Sequence, residues 1–463
     1  MAKTKSKNIE MITGDPKKAI VKLAIPMMVS MLLIMLYNIA DSIWVAGLGA
    51  DALAAVGFIT PLFMILVGLG NGIGAGANSL IARYIGAENY AQANNAALHG
   101  ILLSIIVSLA FTILIEVFMV PILQFMGAGD TIGYAMDYSY IIFGFLFIFV
   151  YSGVASAIFR SEGDMRRATI AIAVTAVLNI ILDPIFIYVL KLGIAGAAWA
   201  TVVSATMSCL VMSYWIWGKK DLYLDLSPKN FHYESRMMID NLQVAIPSTL
   251  ESIVFSALAI IINSFLVVSS GTTAVAVYTA SMRIVQLAMI PLIGLGTAVL
   301  TVCGVAYGAH NHVNLKTAHS YSIKLGFAIS IALGIVMFVF SSQIATMFSY
   351  TEASAALSPQ IATAISVLSL FVLAIPHGIM SSMMFQGVGK GVYSLLITLL
   401  RSLILESVFA YIFCFIFGWG VTGIYAGVVF GCFVGGTVGY IWAKFFIRKF
   451  TQIAIKKYTP QED

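Results

Sequence analysis

Ionisable side chains are scarce in this 463-residue chain, and several of them fall inside long apolar runs. Asp41, Glu116, Asp137, Asp183, Glu251 and Glu406 are the carboxylates so placed, joined by Arg283 and Arg401. A charge at the centre of a bilayer costs about 2.5–3.5 kcal/mol even on lenient scales, so an acid kept there is functional by default unless something pairs with it. The chemistry open to it is narrow. Carboxyl groups held away from water and close together can exchange a proton as a unit. Protonation turns an acceptor into a donor, so the hydrogen bonds around it rearrange. The same oxygens can instead hold a hard cation such as Na+.

Helical spacing groups these residues. Asp41 stands about two turns before the outer end of the first apolar run, with Tyr37 one turn below on the same face. Asp183 stands at a similar depth in the fifth run, with Asn179 one turn below it. Thr201, about two turns into the sixth run, reaches that level, and Tyr138 at the outer part of the fourth is a further candidate. Asp41, Asp183, Asn179, Thr201 and Tyr37 together would offer five oxygens to Na+. Glu251 lies one turn after Pro247, and its simpler reading is a buried charge neutralised by Arg283 or Arg401. Glu406 and Arg401 read the same way, while Glu116 and Asp137 lie near the outer surface, where solvated or structural roles are expected. Pro26 cannot donate a backbone bond, which leaves the first run bendable there. Met27, Met31 and Met35 are flexible, polarisable side chains suited to lining a cavity that adapts to varied apolar ligands.

The elements that must position these residues follow from composition. The chain is 60% hydrophobic and 10% charged, too little charge to cover a water-facing surface. Apolar runs long enough to cross a bilayer occupy about 18–45, 51–81, 92–124, 132–159, 166–190, 193–217, 237–268, 274–307, 316–347, 356–386, 391–417 and 420–449. The predicted fold is therefore an all-α polytopic membrane protein of twelve transmembrane helices. Lys and Arg gather at one set of ends: Lys3, Lys5, Lys7, Lys17, Lys18 and Lys22, then Arg83, Arg160, Arg166 and Arg167, Lys219, Lys220, Lys229 and Arg236, Lys316 and Lys324, Lys390, and the tail. The opposite loops offer Lys191. This asymmetry predicts a multi-pass protein of the plasma or inner membrane with both termini cytoplasmic.

An internal repeat organises the runs. Ala24-Ile25-Pro26 recurs as Ala245-Ile246-Pro247, Phe159-Arg160-Ser161-Glu162-Gly163 is answered by Phe385-Gln386-Gly387-Val388-Gly389, and Gly193-Ile194-Ala195-Gly196 by Gly420-Val421-Thr422-Gly423. Six spans per half makes the repeat parallel, two six-helix bundles related by a pseudo-two-fold axis along the membrane normal. The expected division is a segment 1–17, a lobe 18–217, a linker 218–236, a lobe 237–449 and a tail 450–463. The glycine-rich Gly68–Gly76 run lacks the lysine and the preceding strand of a phosphate loop, and reads as close helix packing or a cavity wall. Cys209, Cys303, Cys414 and Cys432 lie in apolar runs and read as packing residues, and His377 as a hydrogen-bonded packed side chain. No nucleophile–base pair or metal-ligand spacing appears inside the spans, so an enzyme is not expected. The scattered basic residues do not suggest nucleic acid.

Taken together, these motifs resemble the multidrug and toxic compound extrusion (MATE) family over about residues 12–450. The resemblance rests on the two six-helix halves, the Ala-Ile-Pro openings, Asp41, Phe159-Arg160-Ser161-Glu162-Gly163-Asp164 and Gly193-Ile194-Ala195-Gly196-Ala197-Ala198. The acid pair in the first half is most like the DinF-like branch, including archaeal members. The resemblance implies efflux of organic, amphipathic or cationic compounds by antiport with H+ or Na+, no other cofactor, and small molecules and the bilayer as partners, with a monomer expected. In that branch the residues matching Asp41, Asn179, Asp183, Thr201 and Tyr138 form a polar network. Glu251 matches an acidic position of NorM-like relatives, but their acid in the tenth span is missing from Ile375-Pro376-His377-Gly378-Ile379. The alternative is a flippase for a lipid-linked precursor in the same superfamily.

Overall fold

The computed structural model describes residues 7–125, 129–219, 222–348 and 356–458, all helix, turn or irregular chain with no strand among them. Lys3, Lys5 and Lys220, counted above for orientation, lie outside the described residues. Helices dominate for a physical reason: in hydrocarbon the backbone has no water to bond, and a helix closes its own donors and acceptors. The first half runs through α1 (Lys7–Thr13), α2 (Pro16–Ala46), α3 (Ala50–Gly86), α4 (Tyr90–Phe125), α5 (Ile132–Gly144), α6 (Leu146–Ser161), α7 (Met165–Pro184) and α8 (Gly193–Ser213). The second comprises α9 (Ser235–Ser270), α10 (Thr272–Gly308), α11 (His312–Val339), α12 (Ser341–Phe348), α13 (Ser358–Ala374), α14 (Pro376–Gly387), α15 (Gly391–Thr398), α16 (Ser407–Tyr411) and α17 (Gly420–Tyr458).

Ten helical stretches among the described residues are long and apolar enough to cross a membrane, and twelve if two bent pairs each count as one span. The bent pairs are α5 with α6, at 46°, and α13 with α14, at 41°. They occupy the fourth span of each half. The second bend falls at Pro376, which cannot donate into the preceding turn.

Backbone detail repeats as faithfully as the spans. Left-handed residues occur at Gly49 and Gly271, Glu88 and His310, Gly163 and Gly389, and Gly193 and Gly420. Wide π-helical turns close the fifth span at Ile185–Val189 and the eleventh at Ile412–Ile416. The internal repeat read from short motifs is thus present in the turn geometry.

By packing, the chain forms two compact units. One comprises Met1–Gly14 and Ile25–Thr249, the other Asp15–Ala24 and Leu250–Asp463. In the first unit α3 lies along α6 at a distance only glycine permits. A Cβ on Gly153 would fall 2.7 Å from the Gly70 carbonyl oxygen, and one on Gly74 would fall 2.9 Å from the Gly153 oxygen. The expectation of close helix packing at the Gly68–Gly76 run is met there. Pro26 sits inside α2, where its carbonyl accepts from Ser30 Oγ at 2.9 Å and from Thr169 Oγ1 of α7 at 3.1 Å. In the second unit the apolar stretch of α10 is largely buried, and α10 packs on α11, α13 and α14.

The α3–α6 crossing generates a prediction. Gly153→Val should cost about 1–3 kcal/mol of stability, as overpacking does, seen as a lower unfolding midpoint in detergent. An unchanged midpoint would show that the two backbones are not held at the observed distance.

Candidate functional site

In the first unit the polar residues of four helices converge. Asn179 and Asp183 are four residues apart on α7, hence on one face, and both are buried. The Asn179 amide donates to Asp183 Oδ1 at 3.2 Å and to Thr201 Oγ1 of α8 at 3.3 Å. Thr201 donates in turn to the Ala197 carbonyl at 3.0 Å. Asp41 of α2 lies within electrostatic reach of Asp183, and the buried Tyr138 of α5 within reach of Asp41, Asp183 and Tyr37. All six coupling candidates are therefore brought into one cluster. Three of its buried oxygens, Asp41 Oδ1, Asn179 Oδ1 and Asp183 Oδ2, have no hydrogen-bond partner among the described residues. Buried acceptors normally find a donor, so these oxygens suit an added proton or a small cation.

Beside the cluster lies a cavity of about 180 Å³. Met27, Met31, Ile34 and Tyr37 of α2 line one wall, and Asn179 and Thr201 another. Tyr37, Asn179 and Thr201 thus belong to the cavity surface and to the carboxylate cluster at once. Of the three methionines predicted for a cavity, Met27 and Met31 face it. Met35 is not among its lining residues, because Ile34 takes the next place on that helical stripe.

Arg160 and Asn71 are among the lining residues that were missed. Arg160, counted above among loop charges, falls in the last turn of α6 and faces the cavity, with its Nε buried and unpartnered. Asn71 projects from the glycine-rich part of α3. The signal for Arg160 was legible: Ser152, Ser156 and Arg160, four residues apart, make a polar stripe on an apolar helix, and all three line the cavity.

The second unit differs in its chemistry. Glu251 of α9 accepts from Ser394 Oγ at 2.6 Å and from Gln386 Nε2 at 3.3 Å, and Gln386 also donates to Ser394 at 3.1 Å. Neutral donors thus bond Glu251 directly, Arg401, one of the two arginines expected from sequence, lies within electrostatic reach of it, and Arg283 is exposed. Arg401 and Glu406 are buried on the π-helical stretch Leu399–Glu406, whose wide turn lies against Gly431 and Gly435 of α17. Arg401 Nε and Glu406 Oε2 lack hydrogen-bond partners. His377 bonds the Phe433 carbonyl and Thr437 Oγ1 through Nε2, both at 3.2 Å, and stacks on Phe327, while its buried Nδ1 has no hydrogen-bond partner among the described residues. Asp137 is exposed, and Glu116 half-buried beside Gly144.

At the end of α6, Glu162 fastens the connecting segment to the first unit. The Leu224 backbone N–H donates to Glu162 Oε1 at 2.6 Å, the Glu234 N–H donates to His99 Nε2 at 3.0 Å, and Asn95 exchanges two bonds with the His232 backbone at 2.8 and 3.1 Å. Burial pushes the Glu162 carboxyl up to about 7, opposed by backbone donors at Leu224 and Tyr223 and by Arg167, and aided by Asp164.

Comparison with known proteins relates the chain as a whole to others. The MatE family model matches residues 26–185 and 247–412. Probable multidrug resistance protein YoeA of Bacillus subtilis is 28% identical over 309 residues, 65% of this chain and 66% of that one. Multidrug export protein MepA of Staphylococcus haemolyticus is 28% identical over 381 residues, 80% of this chain and 79% of that one. Crystal structures of a MATE protein in straight and in bent conformations superpose with TM-scores of 0.94 and 0.93 at 37% and 38% identity. They cover 97% and 98% of this chain and all of theirs.

The Glu162 tie has a pH signature. Its folded value lies above the ordinary 4.5, so the folded protein binds this proton more tightly than the unfolded chain. The associated stability is complete below about pH 4.5 and lost as pH rises through about 7. Glu162→Gln should flatten that decline in the unfolding midpoint. Identical pH profiles for both proteins would mean that no acid is buried beneath the connecting segment.

Proposed function

The chain belongs to the MatE family, and from that premise we propose that it is a secondary-active exporter of organic amphipathic and cationic compounds. Antiport of a cation drives it, H+ being favoured and Na+ the alternative. The observation that carries the reading is the double role of Asn179, which touches the cavity while its amide holds Asp183 and Thr201. The names of YoeA and MepA support multidrug export.

The coupling works as follows. While Asp183 is ionised it accepts from Asn179, and the cavity wall is held open by that bond. A proton added to the Asp41–Asp183 pair turns an acceptor oxygen into a donor. The new donor competes for the acceptors at Asn179 and Thr201, and the bonds across α2, α7 and α8 change partners. The helix that can follow is α2, because Pro26 breaks its backbone ladder there. Movement of α2 carries Met27, Met31 and Tyr37 into the cavity and displaces the substrate. That a relative has been solved in straight and bent conformations supports such a hinge. Na+ would act on the same oxygens as a ligand set, with Asp41 Oδ1, Asn179 Oδ1 and Asp183 Oδ2 turned to the ion. In this reading the protein works as a monomer in the plasma membrane with both termini cytoplasmic. Glu251 is not part of the coupling cluster.

A lipid-linked precursor flippase is the second reading, and Arg160 favours it as a guanidinium facing the cavity without a bonded partner at Nε. One cation is a thin basis for holding a pyrophosphate.

The test is transport from liposomes loaded with a cationic dye under an imposed proton gradient or an imposed sodium gradient. Dye should move with protons alone. Asp41→Asn and Asn179→Ala should slow it by about tenfold or more, within the usual range of a coupling energy, and Glu251→Gln should leave it near normal. Normal proton-driven transport by Asp41→Asn would remove the carboxylate pair from the mechanism. Movement with sodium alone would replace the ion, and none with either gradient would favour a lipid-linked substrate.

A further inference from the structure

The second unit holds a larger cavity, about 1090 Å³, that the transport reading does not use. Its lining gathers cations from three helices: Lys17 at the start of α2, Lys316 and Lys324 on α11, and Lys444 and Arg448 on α17. No carboxylate is among the described lining residues. The nearest acid in sequence, Asp15, already accepts the backbone N–H of Lys17 at 2.9 Å. Five like charges around one space repel each other, so an anion there relieves a cost the fold otherwise bears.

The arrangement is more than a scatter of surface charge. Lys444 and Arg448 are one turn apart and share a face. Lys444 Nζ rests 4.6 Å from the Tyr440 ring, whose other neighbour is the buried imidazole of His319. Lys17 Nζ lies 6.0 Å from the Tyr321 ring. The cavity also takes in the first turn of α11, where the helix dipole favours negative charge and the Asn314 N–H is capped by the Asn311 side chain.

One further feature selects among anions. Val313, Ile441 and Phe445 line the same cavity and are 58%, 46% and 64% exposed, so an apolar strip adjoins the cationic one. A free phosphate would use only the cations. An amphiphile would cover both. We infer that this cavity binds the phosphate headgroup of an anionic membrane lipid, with Val313, Ile441 and Phe445 meeting the start of its acyl chains. Basic pockets among membrane helices are suited to such headgroups. The site is separate from the carboxylate cluster, so its test and that of the transport mechanism do not depend on each other.

The experiment is a lipid titration of the full chain in neutral detergent, followed by native mass spectrometry. It uses dioleoylphosphatidylglycerol, dioleoylphosphatidylcholine and, as a headgroup without chains, glycerol 3-phosphate. The anionic lipid should bind at least about fivefold more tightly than the zwitterionic one, and each cation removed should weaken it about fivefold. The variant carrying Lys316→Gln, Lys444→Gln and Arg448→Gln should therefore lose on the order of 100-fold. Its unfolding midpoint without added lipid serves as the control for folding, and Phe445→Ser should weaken lipid but not glycerol 3-phosphate. Equal binding of the two lipids, or an unchanged triple variant that is folded, would overturn the proposal. Glycerol 3-phosphate binding as tightly as the anionic lipid would overturn the lipid assignment in favour of a soluble phosphate ester.

Discussion

A polar side chain inside hydrocarbon can be answered only by protein, by an ion, or by a proton of its own. That constraint organises both units. Asn179 has two donor hydrogens and spends them on Asp183 and Thr201, which ties α7 to α8 through a single amide. Its oxygen is left over, as is one oxygen on each of Asp41 and Asp183. An arrangement that closed every bond would be a rigid structural knot. One that leaves three acceptors open, next to a cavity, can exist in more than one bonded state. Glu251 is the contrast. Ser394 and Gln386 give it donors, and it behaves as a member of a closed network.

Small residues make these networks reachable. The backbones of α3 and α6 approach through Gly70, Gly74 and Gly153, and the space that remains becomes the cavity wall. Gly431 and Gly435 do the same for the π-helical stretch that carries Arg401 and Glu406. Without side chains in the way, bulky polar groups can sit between helices rather than on their lipid faces.

The legible part of the molecule is the part with strong periodic signals. The spans and the repeat follow from twenty-residue apolar runs and from motifs that recur in order. The position of Asp183 over Asn179 follows from four-residue spacing. What was missed depended on which face of a span turns inward. Arg160 was counted as a terminal charge because it directly follows an apolar run, although its four-residue stripe with Ser152 and Ser156 marked the face it belongs to. The partners of Glu251 were missed for a different reason: Ser394 and Gln386 are ordinary polar residues from distant segments. Met35 and Ile34 differ by one position, and a hydropathy argument cannot choose between them.

The left-handed residues that recur between the halves, from Gly49 and Gly271 to Gly193 and Gly420, bear on how such a chain could arise. Each half contains an even number of crossings, so it begins and ends on the same side of the bilayer. Two copies can then be joined head to tail with nothing but a polar connector, and neither copy has to invert. Fusion after gene duplication is sufficient. Once joined, the copies share their turns but not their selective duties. Asp41 and Asp183 have no acidic counterparts at the aligned places of the second half, where Asn263 and Ala410 stand at the same offsets of 222 and 227 residues. A duplicated scaffold allows that asymmetry: one copy can keep the geometry while the other acquires the chemistry.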